Sequence, residues 1–330
     1  MPNPTRSDVH VNRPLGSIAV ATIQDAKNFI AQQVFPIVGV MKQSDRYFSY
    51  DRSYWMRAGA EKRAPATESA GSGWKIDSNP QFFCDIWAYH TDLDDYTLQL
   101  ADDPIDLHRD SVEFLTQKMM LRREKLFTQT FMSPGVWGGL LTTNGSGKRV
   151  PTDFTPNISW SNDNSNPLAD IAMLKTEITR TTSLEPNVLV VSHDVNERLK
   201  QHPMVLSRIL YSQLGIATEE LLAQFFGVDK YLVAKAVENR SQEGQTGDYD
   251  FISDNKILLC YSAPSPGILK PTAGYIFSWT GMYGASAMGS RIKTMRMEHL
   301  SAERIEMEMA FDMHQVSAEL GILGTNLLTT

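Results

Sequence analysis

Cysteine is scarce: the 330 residues hold only Cys84 and Cys260, far apart and each in apolar surroundings. That excludes a disulfide framework and a cysteine-rich metal site, and the pair reads as reduced core residues of a cytosolic protein. No apolar run is long enough to span a bilayer, so no membrane partner is expected. The first seventeen residues are polar and broken by Pro2, Pro4 and Pro14, unlike a secretory signal. Positive charge is in deficit, with a net charge of -7, so the chain is not held to nucleic acid by charge as a whole. A fixed-period repeat and a low-complexity tract are absent too.

What is present starts with size. At 330 residues the chain can build two subdomains and a sizeable core, and its 42% apolar share is ordinary for a soluble globular protein. The 15 methionines suit irregular cores and interfaces. The most telling stretch runs from Tyr47 to Gln129. Residues 47–57, YFSYDRSYWMR, are strand-like and rich in aromatics and arginine. A polar tip rich in Gly and Ala follows over 59–73, carrying Glu61, Lys62, Arg63 and Glu68, and a return strand begins at Trp74. A hairpin of that length has too little apolar surface to fold alone. It must lie on something else, and another copy of the same chain is the natural support.

Asp103 and Pro104 signal the start of a long helix, with Asp106 suited to its positive end. Val112, Leu115, Met119 and Leu126 keep helical spacing, Phe114, Met120, Leu121, Phe127 and Phe131 widen the stripe, and Ser133-Pro134-Gly135 ends it. The helix over 103–132 should be about 40 Å long at 1.5 Å per residue, enough for the backbone of a subdomain. Before it, a short helix near 23–34 aligns Ile23, Phe29, Ile30 and Val34. After it, residues 138–167 are loop-like and a second helix spans about 168–182. Residues 187–191, NVLVV, read as a buried strand. Ser192 is positioned to cap a helix that stops before Pro203, and Thr218 opens another that Gly227 ends. Strands are expected near 230–237 and 256–261. Late in the chain Ile305, Met307, Met309, Phe311 and Met313 alternate with Glu306, Glu308, Ala310, Asp312 and His314. One face of that strand is apolar and needs a cover, for which the long helix is the candidate.

Several local patterns resemble chemistry without completing it. GSGK at 145–148 lacks the glycine and the hydroxyl residue of a phosphate loop, since Thr142 and Arg149 stand there. Ser192, His193 and Asp194 are triad residue types, but adjacent residues cannot converge as nucleophile, base and orienter. The histidines are scattered without metal spacing. Asp92, Asp94, Asp95, Asp102 and Asp103 lack the glycine and terminal Glu of a calcium loop, leaving a solvated turn and a helix cap. No catalytic residue, cofactor or metal site is expected.

The element order, an α+β arrangement, resembles the Hong Kong 97-type coat fold of tailed-bacteriophage major capsid proteins. Residues 34–40, VFPIVGV, followed by Tyr47, look like that family's lead-in to its extended loop. Leu107 to Arg123 looks like its spine helix, and Ile305 to Leu323, ending VSAELGIL, like its C-terminal strand and tail. The resemblance implies an N-terminal arm over 1–40, pinned by a neighbouring subunit, and an extended loop over 41–78. It implies a peripheral domain over 79–184 and 286–330, containing the spine helix, and an axial domain over 185–285. It implies hexamers and pentamers closing into an icosahedral shell around double-stranded DNA, located in the virion capsid and assembled in the host cytoplasm. Partners would be further copies of the chain, a separate scaffolding protein, a portal and a decoration protein, with non-specific contact to DNA.

On this template the loop residues that meet a neighbour are Tyr47, Tyr50, Tyr54, Trp55, Arg57, Glu61, Lys62, Arg63 and Glu68, the aromatics supplying area and the charges directional pairing. Weak contacts would be multiplied by repetition around the shell. Some family members weld subunits through a loop Lys and a peripheral Asn; Lys62, Lys75 and Asn326 do not match that motif, so no covalent crosslink is expected. Arg6, Arg13, Arg109, Arg122 and Arg123 are candidates to face the DNA. The alternatives are another phage structural protein, such as a tail-tube or decoration subunit, and an enzyme built on the middle α/β block.

Overall fold

The structure, a computed structural model, describes residues 24–50, 55–101, 106–143, 149–209, 218–242, 244–267, 270–283 and 290–329. The described chain opens with a strap. Its helix α1 (Ala31–Val34) leads to strand β1 (Ile37–Val40). A hairpin arm follows: β2 (Ser44–Arg46), β3 (Ser49–Tyr50), β4 (Ile76–Asp77) and β5 (Gln81–Phe83). Next come β6 (Asp85–Asp94), helix α2 (Asp95–Leu100) and the long helix α3 (Leu107–Phe131). A small hairpin, β7 (Leu141–Thr143) and β8 (Arg149–Pro151), precedes α4 (Pro167–Thr182). The middle block contains β9 (Val188–Ser192), α5 (His193–Gln201), α6 (Pro203–Ile209), α7 (Glu219–Phe226), β10 (Lys230–Ala234), β11 (Val237–Asn239), β12 (Tyr249–Phe251) and β13 (Lys256–Cys260). The chain closes with β14 (Gly274–Trp279), α8 (Thr280–Tyr283), β15 (Ser290–Met297), β16 (Ala302–Gln315) and β17 (Gly321–Thr325).

Helix α3 has 25 residues, about 37 Å at 1.5 Å per residue. Its described start is set by Asp106, whose carboxylate accepts from the backbone N–H groups of His108 and Arg109. The expected start at Asp103-Pro104 lies outside the described residues. The buried stripe runs Leu115, Met119, Arg123, Phe127, Phe131, one residue every i+4. It lies on β16, where Ile305, Met307, Met309, Phe311 and Met313 are all buried. The alternation read from the sequence thus found the cover expected for it. β16 is the centre of a five-stranded sheet, with β6 along one side and β14 and β15 along the other; β1 adds in parallel to β14.

A second, four-stranded sheet has the order β10-β9-β13-β17. β9 is buried at every residue, as NVLVV promised. One face (Leu189, Val191, Ile257, Leu259) packs against α4, α5 and α7, while the other (Val188, Val190, Leu258, Cys260) joins the core under α3. Burial on both sides is what a continuous apolar strand requires. Helix α7 is bounded as its sequence signals, with Thr218 accepting from Leu221 N–H and Gly227 at φ 61. Two segments differ from the expected division at 185 and 286. Helix α4 packs on the four-stranded sheet rather than with α3, and β17 pairs with β13 in that same sheet. The C-terminal tail therefore completes the middle block, because β13 otherwise presents an open apolar edge there.

The strap crosses α3. Phe29, Ile30, Ala31, Val34 and Phe35 are buried, with Phe35 4.6 Å from the Phe131 ring. Of the expected 23–34 helix only α1 forms, preceded by a single 3-10 turn; Ile23 and the arm before it lie outside the described residues. Gln24 pins its start. The side-chain amide donates to Val237 O and accepts from Val237 N–H, while Gln117 donates to Gln24 O.

Candidate assembly interface

The hairpin arm rests on a small core of its own chain. β2 pairs with β5, and β3 with β4. At the base Phe82 stacks on Phe277 at 4.4 Å, beside the buried Cys84. Burial pushes the Cys84 thiol up to about 12, so it is inert. Tyr47 belongs to this base: its ring lies 5.8 Å from Phe277 and 5.7 Å from His314. Burial, with Asp312 nearby, pushes its hydroxyl up to about 12. Tyr47 was expected to be a contact for a neighbour; the structure makes it an anchor of the arm to its own subunit. Asp312 accepts from Phe83 N–H at 3.1 Å and ties β5 to β16.

Beyond this base the arm stands away from the rest of the chain. Phe48, Trp55, Met56 and Trp74 are each more than half exposed, and the two indoles lie 6.0 Å apart, tilted by 49°. Exposed apolar surface of this kind marks an interaction site. Arg57, Glu61, Lys62, Arg63 and Glu68 are all exposed on the tip. The tip turns at Ala64-Pro65-Ala66-Thr67, where Thr67 N–H donates to Ala64 O and Ala66 has φ 62. Pro at the second position and positive φ at the third are the pattern of a type II turn. Arg63 donates to Thr67 O at 2.5 Å and buttresses it. Of the other expected contacts, Tyr50 sits in β3 and Tyr54 lies outside the described residues.

The GSGK stretch at 145–148 lies outside the described residues, and Ser192, His193 and Asp194 do not converge. Ser192 heads α5 but makes no side-chain cap; its hydroxyl faces Ser253 at 3.0 Å and accepts from Lys256 N–H. The His193 ring packs on Phe251, and Asp194 accepts from Asn255 N–H. Burial pushes the Asp194 carboxyl up to about 6, with Asp254 adding to the effect. The three side chains diverge, so they cannot act as a relay. Of the acidic run, Asp102 and Asp103 lie outside the described residues and two of the other three carboxylates pair with arginines. Asp92 accepts from Nε and Nη2 of Arg304 and Asp95 from Nη1 and Nη2 of Arg296, while Asp94 caps α2. No group of three metal-ligating side chains occurs among the described residues.

Of the arginines considered for DNA contact, Arg6 and Arg13 lie outside the described residues, and the other three have partners within the chain. Arg109 pairs with Glu113 at 3.6 Å, and the Arg122 guanidinium lies 4.3 Å over the Trp87 ring. Arg123 is buried, as is Glu124, which accepts from Ala31 N–H at 3.0 Å at the head of α1. Burial lowers Arg123 to about 10 and raises Glu124 to about 7. Glu124 fastens the strap to α3 through that bond. Sequence reasoning missed it because charged residues on a long helix ordinarily face solvent.

No protein-family model matches the chain. The major capsid protein of Burkholderia phage BcepMu is 26% identical over 219 residues, covering 63% of this chain and 64% of that protein. Among solved structures, a phage-related protein from Bordetella bronchiseptica shares 17% identity and a TM-score of 0.68, covering 93% of this chain and 94% of that one. The mature capsid of bacteriophage PhiM1 gives 10% identity and a TM-score of 0.59, over 93% and 89%. An encapsulin complex from Synechococcus elongatus gives 13% and 0.54, over 97% and 98%. Near-complete coverage at such low identity reports shape, not shared chemistry. With its projecting arm, its long helix laid on β16 and its second sheet, the chain has the Hong Kong 97-type capsid fold.

Proposed function

We propose that this chain is the major capsid subunit of a tailed phage, a structural protein and not an enzyme. Copies assemble as hexamers and pentamers into an icosahedral shell enclosing double-stranded DNA. The observation that carries the reading is the arm: Trp55 and Trp74 are 58% and 57% exposed on a hairpin whose anchoring core lies at its other end. A hairpin that thin and that apolar needs a second molecule to cover it. The likeness to phage capsids and to a phage major capsid protein supports the same reading. A tail-tube subunit has no use for a 25-residue helix packed on a sheet.

A separate scaffolding protein, a portal and a decoration protein are the expected partners, with non-specific contact to DNA. Lys62, Lys75 and Asn326 are exposed but match no welding motif, so the shell is held without covalent links. Boiled particles should therefore run as monomer on denaturing gels; a ladder of multimers would refute that. The encapsulin likeness favours a second reading, a shell around protein cargo. Electron microscopy of the chain, expressed alone and with its neighbouring genes, tests the shell itself. Closed particles, tubes, or rings of five and six support it, and a dispersed monomer under both conditions refutes it. Nuclease-protected DNA inside purified particles then separates the phage reading from the cargo reading.

A further inference from the structure

Two marginal pieces of this fold hold each other. The ribbon β11–β12 pairs three residues with three, and none of the six is buried. A two-stranded ribbon of that kind is barely stable alone in water. The opening of the strap is equally thin: residues 24–28 are half-buried or exposed, and burial begins at Phe29. The two meet edge to edge. Ile252 donates to Ala236 O and Arg240 to Asp248 O across the ribbon, so the N–H and C=O of Val237 point to its open side. There the Gln24 side chain takes both, donating to Val237 O at 2.7 Å and accepting from Val237 N–H at 3.1 Å, as a third strand would. Helix α3 ties down both partners. Gln117 donates to Gln24 O at 2.6 Å, and further along the helix Lys125 pairs with Glu238 at 2.7 Å. The Glu238 side chain is only 15% exposed and also lies 3.5 Å from Arg240, which bonds Asp250 on the opposite strand at 2.5 Å. Phe251 packs on the His193 ring and joins the ribbon to the middle block.

We propose that the ribbon β11–β12 is a clasp that opens and closes together with the start of the strap, through Gln24 and Glu238. Neither piece has buried apolar area of its own to keep it in place, so each is ordered by the other and by α3. The coupling is reciprocal by linkage: whatever engages the chain before Gln24 shifts the ribbon, and whatever engages the ribbon shifts the strap. The contacts that close the clasp are partly exposed ion pairs and side-chain amide bonds, each individually weak. The clasp therefore opens while β9 and β13, buried on both faces, stay closed. The later strap is fastened separately, by Glu124 at Ala31 and by Phe35 on Phe131, so opening frees only residues 24–28. This is a property of the single subunit, whatever it assembles into.

Hydrogen exchange of the whole chain, read by mass spectrometry, tests this. Gln24→Ala should speed exchange in strands 237–239 and 249–251 about fivefold, and Glu238→Gln should do the same to residues 24–28. Lys125→Gln removes the same ion pair from the helix side and should loosen both segments together. Raising the salt concentration from about 0.05 M to about 0.5 M should also loosen both in the unaltered chain, and far less in Glu238→Gln. Exchange in β9 and β13 should stay unchanged throughout. Loosening confined to the segment that carries the substitution would overturn the proposal. So would loosening that spreads to β9 and β13, since the two pieces would then open only with the whole subunit.

Discussion

The four-stranded sheet and the hairpin arm are opposite solutions to the same problem. In the sheet, β9 and β13 are buried on both faces, and β17 returns from the far end of the chain to close the edge of β13. Its apolar area is removed from water within one subunit. In the arm, the base is anchored by Phe82 and Tyr47 while Phe48, Trp55, Met56 and Trp74 are left in water. The comparison teaches that stability and assembly are assigned to different residues. Damage to the sheet should unfold the subunit, and damage to the arm should leave a folded subunit that cannot join others.

The largest effect should come from the sheet. Leu258→Ala removes a fully buried side chain and should cost about 2–5 kcal/mol in urea unfolding of the isolated subunit. Next is the return of the tail. Trp137 packs directly on Gly321, so a Cβ there would collide with the indole. Gly321→Ala should cost about 1–3 kcal/mol through overpacking. In contrast, Trp55→Ala combined with Trp74→Ala should change subunit stability by no more than about 0.5 kcal/mol per site, since neither contributes to a buried core. Particle yield should nevertheless collapse. A large drop in subunit melting temperature in that double variant would erase the contrast.

Two buried groups sharpen the comparison through pH, with the smallest effects. His202 lies in the middle block, its Nδ1 accepting from Met204 N–H and its Nε2 3.0 Å from the Ser165 hydroxyl. Burial lowers its pKa, so the folded state favours the neutral ring. The stability it contributes is present above its unfolded pKa and lost as pH falls through the folded one. Glu124 under the strap behaves oppositely. Its pKa is raised to about 7 by burial, so its contribution is complete below the ordinary carboxylate range and lost as pH rises through 7. Hydrogen exchange should show segments 159–166 and 202–206 loosening on acidification, and segment 29–35 loosening as pH rises from the ordinary carboxylate range to about 7. Glu124→Gln should flatten the second response and leave the first unchanged. An unaltered pH response of the strap in that variant would rule out Glu124 as its source.

The sequence by itself determined the elements whose local pattern and tertiary environment agree. The alternation from Ile305 to Met313 could only be a strand with one buried face, and the apolar run of β9 only a strand buried on both. Thr218 and Gly227 bracketed α7 by cap chemistry that works within one turn of helix. The adjacency of Ser192, His193 and Asp194 was enough to exclude a relay. The hairpin arm, too, was legible as a long excursion with aromatic flanks and a polar tip.

Tertiary structure alone decided which partner each element took. The pairing of β17 with β13, the placement of α4 on the middle sheet, the role of Tyr47 as an anchor and the burial of Arg123 and Glu124 all depend on residues far away in sequence. Periodicity reports which face of an element avoids water, but many distant surfaces can satisfy that face equally. A charged side chain carries no local mark of burial, because its fate is set by whether the packed chain supplies a partner. For Glu124 that partner is a backbone N–H at Ala31, 93 residues earlier in the chain.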